Sequence, residues 1–406
     1  MSTTMTCRRF WAARWGAAVA ILLLACAAGA WAEEDAPSKT RVDLYGFAML
    51  DTGYETGQTH PDWFDVMRPT KLAAYENEYG EDGNYYASVR QSRFGVKTFT
   101  PTAWGELKTI FEFELFGTGV DAGQTTFRLR HAWGELGQIG AGQTWSPFMD
   151  PDVFPNSVEY WGPNGMVFFR NVQLRWTPFH GKNEFMVALE RPGASADAGP
   201  IADRIEIQDI TGHFPYPDVS SHFRMTRDWG HLQIAGILRY IGWSDTMDDQ
   251  YELSGQEMGW GINVSTNVKA WKGVFRGSVV YGAGVQNYMN DAPVDIGLTD
   301  TLDEIGEALP IFGLVAFYDV NWNDKWSSTI GYSRVDIDNS AGQDPEDFKA
   351  GQYALANLLY YPVKNVMLGP EIQWGYRENN SDGWDVNDFR VQFSAKYSFG
   401  YSFGGK

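Results

Sequence analysis

The sequence predicts an all-β fold: a transmembrane antiparallel β-barrel of about sixteen strands, with short periplasmic turns and long external loops. Three observations carry this prediction. Long segments alternate apolar and polar residues with period two, the connections between them are short and long by turns, and tryptophans gather beside the short ones.

The chain begins with a segment outside the fold. Arg8, Arg9 and Arg14 form a basic stretch, and Gly16 to Ala32 is an apolar run ending in Ala30-Trp31-Ala32. This is the pattern of a secretory signal peptide over 1–32, cleaved before Glu33. The competing readings are a retained N-terminal anchor and lipoprotein processing at Cys26, although Leu24 at the second position of Leu23-Leu24-Ala25-Cys26 fits a lipobox poorly. Residues 33–40 then form a short periplasmic segment, and 41–406 the barrel.

Both cysteines, Cys7 and Cys26, fall in the presequence, so the mature chain has no disulfide, thiolate metal site or cysteine nucleophile. Removing three Arg and no acids leaves 29 basic against 51 acidic residues, a net charge of −22. That sign argues against nucleic acid as a partner, because phosphate binding needs clustered Lys and Arg. No apolar stretch beyond Ala32 approaches the roughly 18 residues of a spanning helix. No cofactor is implied. An exported chain of this kind is either a secreted all-β protein or a membrane barrel.

The strands are clearest at the C-terminus. Phe389, Val391, Phe393, Ala395, Tyr397 and Phe399 alternate with Arg390, Gln392, Ser394, Lys396 and Ser398. Successive strand side chains point to opposite faces, so one face is apolar and the other polar. Val366 to Arg377 repeats the pattern, as does Glu106 to Leu115. A soluble sandwich has the same period, and the connections separate the two. Short ones fall near Thr100–Trp104, Gly137–Gln138, Thr177–Lys182, Asp228–Gly230, Ala270–Gly273, Asn323–Lys325 and Pro362–Asn365. Long ones fall near 55–84, 117–124, 146–165, 192–220, 244–256, 286–308, 339–351 and 378–387. Such sorting belongs to barrels of the Gram-negative outer membrane.

Trp104, Trp176, Trp229, Trp271, Trp322 and Trp326 sit at or beside short turns, as an interfacial girdle requires; surface platforms for sugar are the alternative. Two features fit less well. Pro370 interrupts a strong strand where a closed barrel has no edge to hide a missing N–H, which calls for a bulge. The chain also runs on to Lys406, so Phe399 or Phe403 takes the place of the usual terminal aromatic and a short tail follows.

Four stretches resemble the DcaP-like family of outer-membrane porins: Gln91-Ser92-Arg93-Phe94-Gly95, Phe127-Arg128-Leu129-Arg130-His131-Ala132, Ala141-Gly142-Gln143-Thr144-Trp145-Ser146 and Val172-Gln173-Leu174-Arg175-Trp176. With the C-terminal strand they extend the similarity over most of the mature chain, most strongly between about 85 and 178. The resemblance implies a homotrimer of sixteen-stranded barrels that takes up small anionic compounds, notably dicarboxylates. The family's namesake carries a coiled coil before its barrel; here only Glu33 to Thr40 stand there, so no assembly role of that extension carries over.

The 146–165 loop falls between the fifth and sixth strands, where porins of this size fold a loop inward as a constriction. Pro147, Pro151, Pro155 and Pro163 stiffen it, and Asp150, Asp152 and Glu159 make it acidic. An ordinary external loop is the plainer reading. If Phe94, Phe127, Leu129 and Leu174 face lipid, strand parity turns Arg93, Lys97, Arg128, Arg130 and Arg175 inward. Charge on the lipid face costs about 2–4 kcal/mol at the midplane, which fixes the parity. Arg rows opposite acids would give a transverse field and an anion path; alternatively these Arg only solvate the lumen or pair with Glu112 and Glu114. Asp291, Asp295, Asp300, Asp303, Glu304 and Glu307 read as solvated loop charge, without EF-hand spacing; binding of divalent cations or bridging to lipopolysaccharide is the alternative.

The function these features point to is passive diffusion of small hydrophilic solutes, with outer-membrane lipids as the surroundings. Two rivals compete with it. A barrel lipase or protease needs a nucleophile and base in register, and the six His show no such motif. A structural or adhesive barrel with a plugged lumen would not conduct.

Overall fold

The computed structural model describes residues 39–197, 209–247, 252–299 and 305–405. The signal peptide expected over 1–32 lies outside them. Sixteen strands follow one another in chain order. β1 is Arg41–Glu55, β2 runs in two pieces, Asn84–Ser88 and Arg93–Thr102, β3 is Gly105–Phe116 and β4 is Thr125–Leu136. β5 is Ile139–Trp145, β6 Arg170–Phe179, β7 Asn183–Glu190 and β8 Asp218–Arg227. β9 is Gly230–Asp245, β10 Gly255–Ala270, β11 Gly273–Ala283 and β12 Pro310–Asn323. β13 is Trp326–Ile337, β14 Phe348–Asn357 continued by Leu359–Tyr360, β15 Val366–Asn379 and β16 Asp385–Gly404.

Each strand pairs antiparallel with the next, and β1 closes the sheet on β16 from Arg41↔Gly404 to Glu55↔Arg390. Closure leaves no edge with unpaired N–H and C=O groups, which a strand must avoid in hydrocarbon. The short turns and long loops alternate as the sequence predicts, and the start of β1 at Arg41 and the end of β16 at Gly404 lie at the turn end.

Period two places the apolar residues outside. Phe94, Phe111, Ile234, Ile262, Ile330, Ile372 and Phe393 are all exposed on the outer face, while Arg390, Gln392 and Ser394 of the same barrel are buried within it. Trp104, Trp229, Trp271, Trp322 and Trp326 are exposed at the turn end, and the Trp271 and Trp322 rings meet at 5.9 Å.

Pro370 needs no bulge. β14 and β15 keep one register from Asn357↔Glu371 to Tyr360↔Leu368, and β14 merely lapses at Leu358, opposite the proline. Leu358 N–H still donates to the Pro370 carbonyl at 3.1 Å. Phe399 and Phe403 both lie on the exposed face of β16, which continues pairing as far as Gly404.

The interior is not an empty tube. Met67 and Leu72 from the β1–β2 loop, Phe148, Met149, Val153 and Met166 from the β5–β6 loop, and Val285, Tyr288 and Met289 from the β11–β12 loop form one buried apolar cluster. It packs on inward residues of β9 and β11 to β14, including Ile237, Val280, Phe317, Val335 and Tyr353. Those strands carry apolar residues inward because loops, not water, cover them.

Candidate functional site

The wall from β2 to β6 has the opposite character. Glu112 and Glu114 point inward from β3, and Arg130 of β4 bridges them, each contact 2.6 Å long. Glu114 is shared further, with Arg93 at 3.2 Å, Arg128 at 3.7 Å and Arg170 at 3.9 Å. Two carboxylates thus face four guanidiniums, and the cluster keeps an excess of positive charge. Tyr45 O–H donates to Glu112 at 2.7 Å. Its ring lies over Gly95, where a Cβ would come within 2.4 Å of it, so glycine makes this approach possible. Lys97 reaches over the same ring, 4.9 Å from its centre.

Arg175 is built in by a similar device. A Cβ at Gly140 would lie 2.1 Å from Trp133, and the Arg175 guanidinium lies over that indole, 4.7 Å from the ring centre. Its guanidinium donates to Gln173 and to the Trp145 carbonyl at 2.6 Å, and among the described residues it has no carboxylate partner within 4.0 Å.

The 146–165 segment lies inside the barrel and follows its wall. Ser146 bonds Glu190 of β7 at 2.6 Å, and the Pro147, Phe148 and Met149 carbonyls accept from His222, Asn263 and Gln233 of β8, β10 and β9. Asn156 then meets Asp319 of β12 and accepts from Thr329 of β13 and Asn357 of β14. Val158 meets Glu371 of β15 and Gln392 of β16. Tyr160 completes the circuit, stacked on Phe116 at 3.9 Å and bonded to Glu114 and Arg128. Some fifteen residues reach at most about 50 Å when extended, so a full circuit of the belt has a radius of at most about 8 Å.

Its acids meet different fates. Asp150 is buried among His231 and Ser265, both at 2.7 Å, and Arg224 at 3.3 Å. Burial pushes its carboxyl up, but the bonds from His231 and Ser265 outweigh this and hold it below the usual range. Glu159 is also buried, accepting from the Met67 and Gly162 N–H groups. Burial, with the Glu371 carboxylate nearby, pushes it up to about 8 despite those bonds. Asp152 pairs with Arg224 and keeps 52% of its side chain exposed. Asp150, Asp152 and His231 bring ligand atoms within 4.8 Å of one another, but Arg224 already bridges the two carboxylates.

Two further loops close over the belt. Arg68 of the β1–β2 loop lies over both Trp63 and Trp161, 4.1 Å from each ring, and binds Asp291 of the β11–β12 loop at 2.8 Å. Arg239 of β9 holds Asp295 of that loop at 2.8 Å. Asp291 and Asp295 are therefore buried partners, not the solvated loop charge read from the sequence; Asp300, Asp303 and Glu304 lie outside the described residues. Between these loops and the charged wall is a cavity of about 370 Å³, lined by Arg68, Arg128, Arg170, Tyr160, Gln286 and Asn290 among others.

Arg93, Arg128 and Arg130 thus come together, while Arg175 stands apart on Trp133. The sequence reading missed Arg170, which shares outward parity with Val172 and Leu174. It turns inward because the chain enters β6 from inside the barrel. His131 was missed as well: a register shift between Leu129 and His131 sets it beside Arg130 on the inner face.

The family model for the DcaP outer membrane protein matches residues 32–399. Among solved structures, the outer membrane channel DcaP of Acinetobacter baumannii superposes with a TM-score of 0.75 at 20% identity, covering 91% of this chain and 100% of that one. An anion-selective porin from Comamonas acidovorans gives 0.56 at 12% identity, covering 89% and 100%. OmpT of Vibrio cholerae gives 0.55 at 11%, covering 91% and 100%. No curated protein sequence matches.

Proposed function

The chain belongs to the DcaP outer membrane protein family, and from that premise we propose that it is a passive, anion-preferring channel for small hydrophilic solutes of the dicarboxylate type. It works after export and removal of residues 1–32, as a homotrimer among outer-membrane lipids. The observation that carries the reading is the charge excess on one wall: among the described residues, Arg93, Arg128, Arg130 and Arg170 share only the carboxylates of Glu112 and Glu114. The acids of the 146–165 constriction loop offset it little, because Asp150 and Glu159 are spent on other partners.

A net positive wall in a narrow, partly desolvated lumen acts on a passing ion at an effective dielectric well below 80, so each unmatched charge is worth on the order of 1 kcal/mol. Two such charges suit a dianion better than a monoanion. A relative of the same fold is described as anion-selective, and OmpT has been solved in a trimer form. The test is conductance in planar bilayers, with reversal potential in a salt gradient and succinate as blocker. Anion preference with block by succinate is the expected result; cation preference would overturn the reading. The apolar cluster inside the lumen favours a second reading, a plugged structural barrel, and absence of conductance would select it.

A further inference from the structure

A second group of cations lies on the wall formed by β16, β1 and β2, nearer the turn end than the belt. The belt meets β16 at Gln392, whose side-chain amide donates to the Val158 carbonyl at 3.2 Å. Lys396 stands four residues further on, about 13 Å along the strand toward the turns, with the inward parity of Arg390, Gln392 and Ser394. Its Nζ lies over the Phe47 ring of β1, 5.3 Å from the centre, and the Arg93 guanidinium of β2 lies over the same ring at 5.3 Å. Two residues back along β1, Tyr45 carries Lys97 in the same way at 4.9 Å. All three cations open to the lumen: Lys97 is exposed, Lys396 is partly exposed, and Arg93 keeps 24% of its side chain exposed.

The acids of this region are engaged elsewhere. Asp43, opposite Lys97 on β1, pairs with Arg41 at 3.3 Å. Asp51 is buried and accepts from Gln91, Gln392 and Ser394. Glu112 is held by Tyr45 and Arg130, and Arg93 gives part of its charge to Glu114 at 3.2 Å. Among the described residues neither Lys97 nor Lys396 has a carboxylate within 4.0 Å. An aromatic ring holds a cation in place without cancelling its charge, as a carboxylate would.

The cavity on the external side of the belt has Arg68, Arg128 and Arg170 on its lining and no carboxylate. An anion held there leaves only if a further favourable site lies beyond the belt, because conduction needs sites in series that are each weak enough to release. Building on the anion-channel reading above, we propose that Lys396 and Lys97, with Arg93, form a second carboxylate-binding station on the periplasmic side of the belt, in series with the Arg128 and Arg170 cavity.

The test reads block of single channels of the mature protein in planar bilayers at about 0.1 M salt, with succinate added to one side at a time. Lys396→Met keeps the apolar stem over Phe47 and removes the charge. It should slow the onset of block roughly 3-fold for succinate entering from the turn end, the effect on a dianion of losing one screened charge at about 7 Å. Onset from the loop end should be unchanged. Arg128→Ser should do the reverse, and Lys396→Arg should behave as the wild type. Lys97→Ser serves as the second variant and should repeat the effect of Lys396→Met more weakly. If Lys396→Met changes both sides equally or neither, the second station is overturned and the anion channel stands. The same holds if Lys396→Arg shares the loss, since shape and not charge would then be at work, or if Arg128→Ser slows the same side as Lys396→Met. A wild type that succinate blocks from neither side overturns both readings.

Discussion

On the side of the barrel formed by β9 and β11 to β14, loop residues such as Phe148, Met166 and Met289 sit against Ile237, Val280 and Phe317 with essentially no exposed surface. On the side formed by β2 to β6, Arg93, Arg128, Arg130 and Arg170 crowd two carboxylates, and Arg128 and Arg170 border a cavity. The first side is held shut by apolar burial and dispersion, which gain from every atom that fills space. The second cannot collapse in the same way, because bringing like charges together without more counter-charge or water costs more than contact returns. On the proposed reading, the route for solute runs along the charged side. The width of that route follows from which residues the loops cover, not from the number of strands.

The comparison breaks most visibly if the charged side is emptied. Replacing Arg128 and Arg130 together by Ser should move the reversal potential toward cation selectivity and weaken dicarboxylate block. Leaving Glu112 and Glu114 buried with fewer partners should also cost about 3–5 kcal/mol, read as easier heat unfolding of the detergent-purified protein. An unchanged potential and unchanged block would reduce this wall to lumen solvation. The matching change on the packed side is Phe148→Ala, expected to cost about 3–5 kcal/mol of stability through the cavity it leaves. It should leave the reversal potential alone, and a shift as large as that of the double Arg variant would show that the two sides are not separable.

A smaller effect sits where the belt joins the sides. Glu159 holds its proton up to about pH 8 in the folded chain, against an ordinary value of 4.5. The raised value means that its contribution to stability is complete below about pH 4.5 and is lost as pH rises through about 8. After correction for intrinsic rates, backbone amides over 157–162 should exchange hydrogen faster at pH 9 than at pH 6. Glu159→Gln should remove the difference, and a difference that persists in this variant would place the titrating group elsewhere. The smallest effect is expected from Lys97→Ser. Lys97 is exposed, so the reversal potential should shift slightly toward cations at low salt and not at 1 M, where the Debye length is about 3 Å. A shift of equal size at both salts would mean that Lys97 acts by shape and not by charge.

The barrel was legible because lipid on one side and protein or water on the other write a period of two into every strand, as in Phe389 to Phe399. The inward set Arg93, Arg128 and Arg130 followed from the same rule. What the sequence concealed depends on the ends and interruptions of that period. His131 faces inward only because the ladder slips by one residue, and Arg170 only because β6 begins inside the lumen. The loops carry no period at all, so nothing local distinguishes Asp150, whose partner His231 lies 81 positions away, from an exposed acid. Arg68 and Asp291 are 223 positions apart, and their pairing arises only once the barrel has closed.

The belt of 146–160 also depends on the closed barrel for its anchors. Its anchors are drawn from β7 to β16 and then from β3 and β4, so the set is incomplete until the last strand has joined the first. The chain that defines the passage is synthesised before the midpoint of the sequence, yet it can settle only at the end. Closure of the barrel is therefore a precondition for the belt's complete set of contacts.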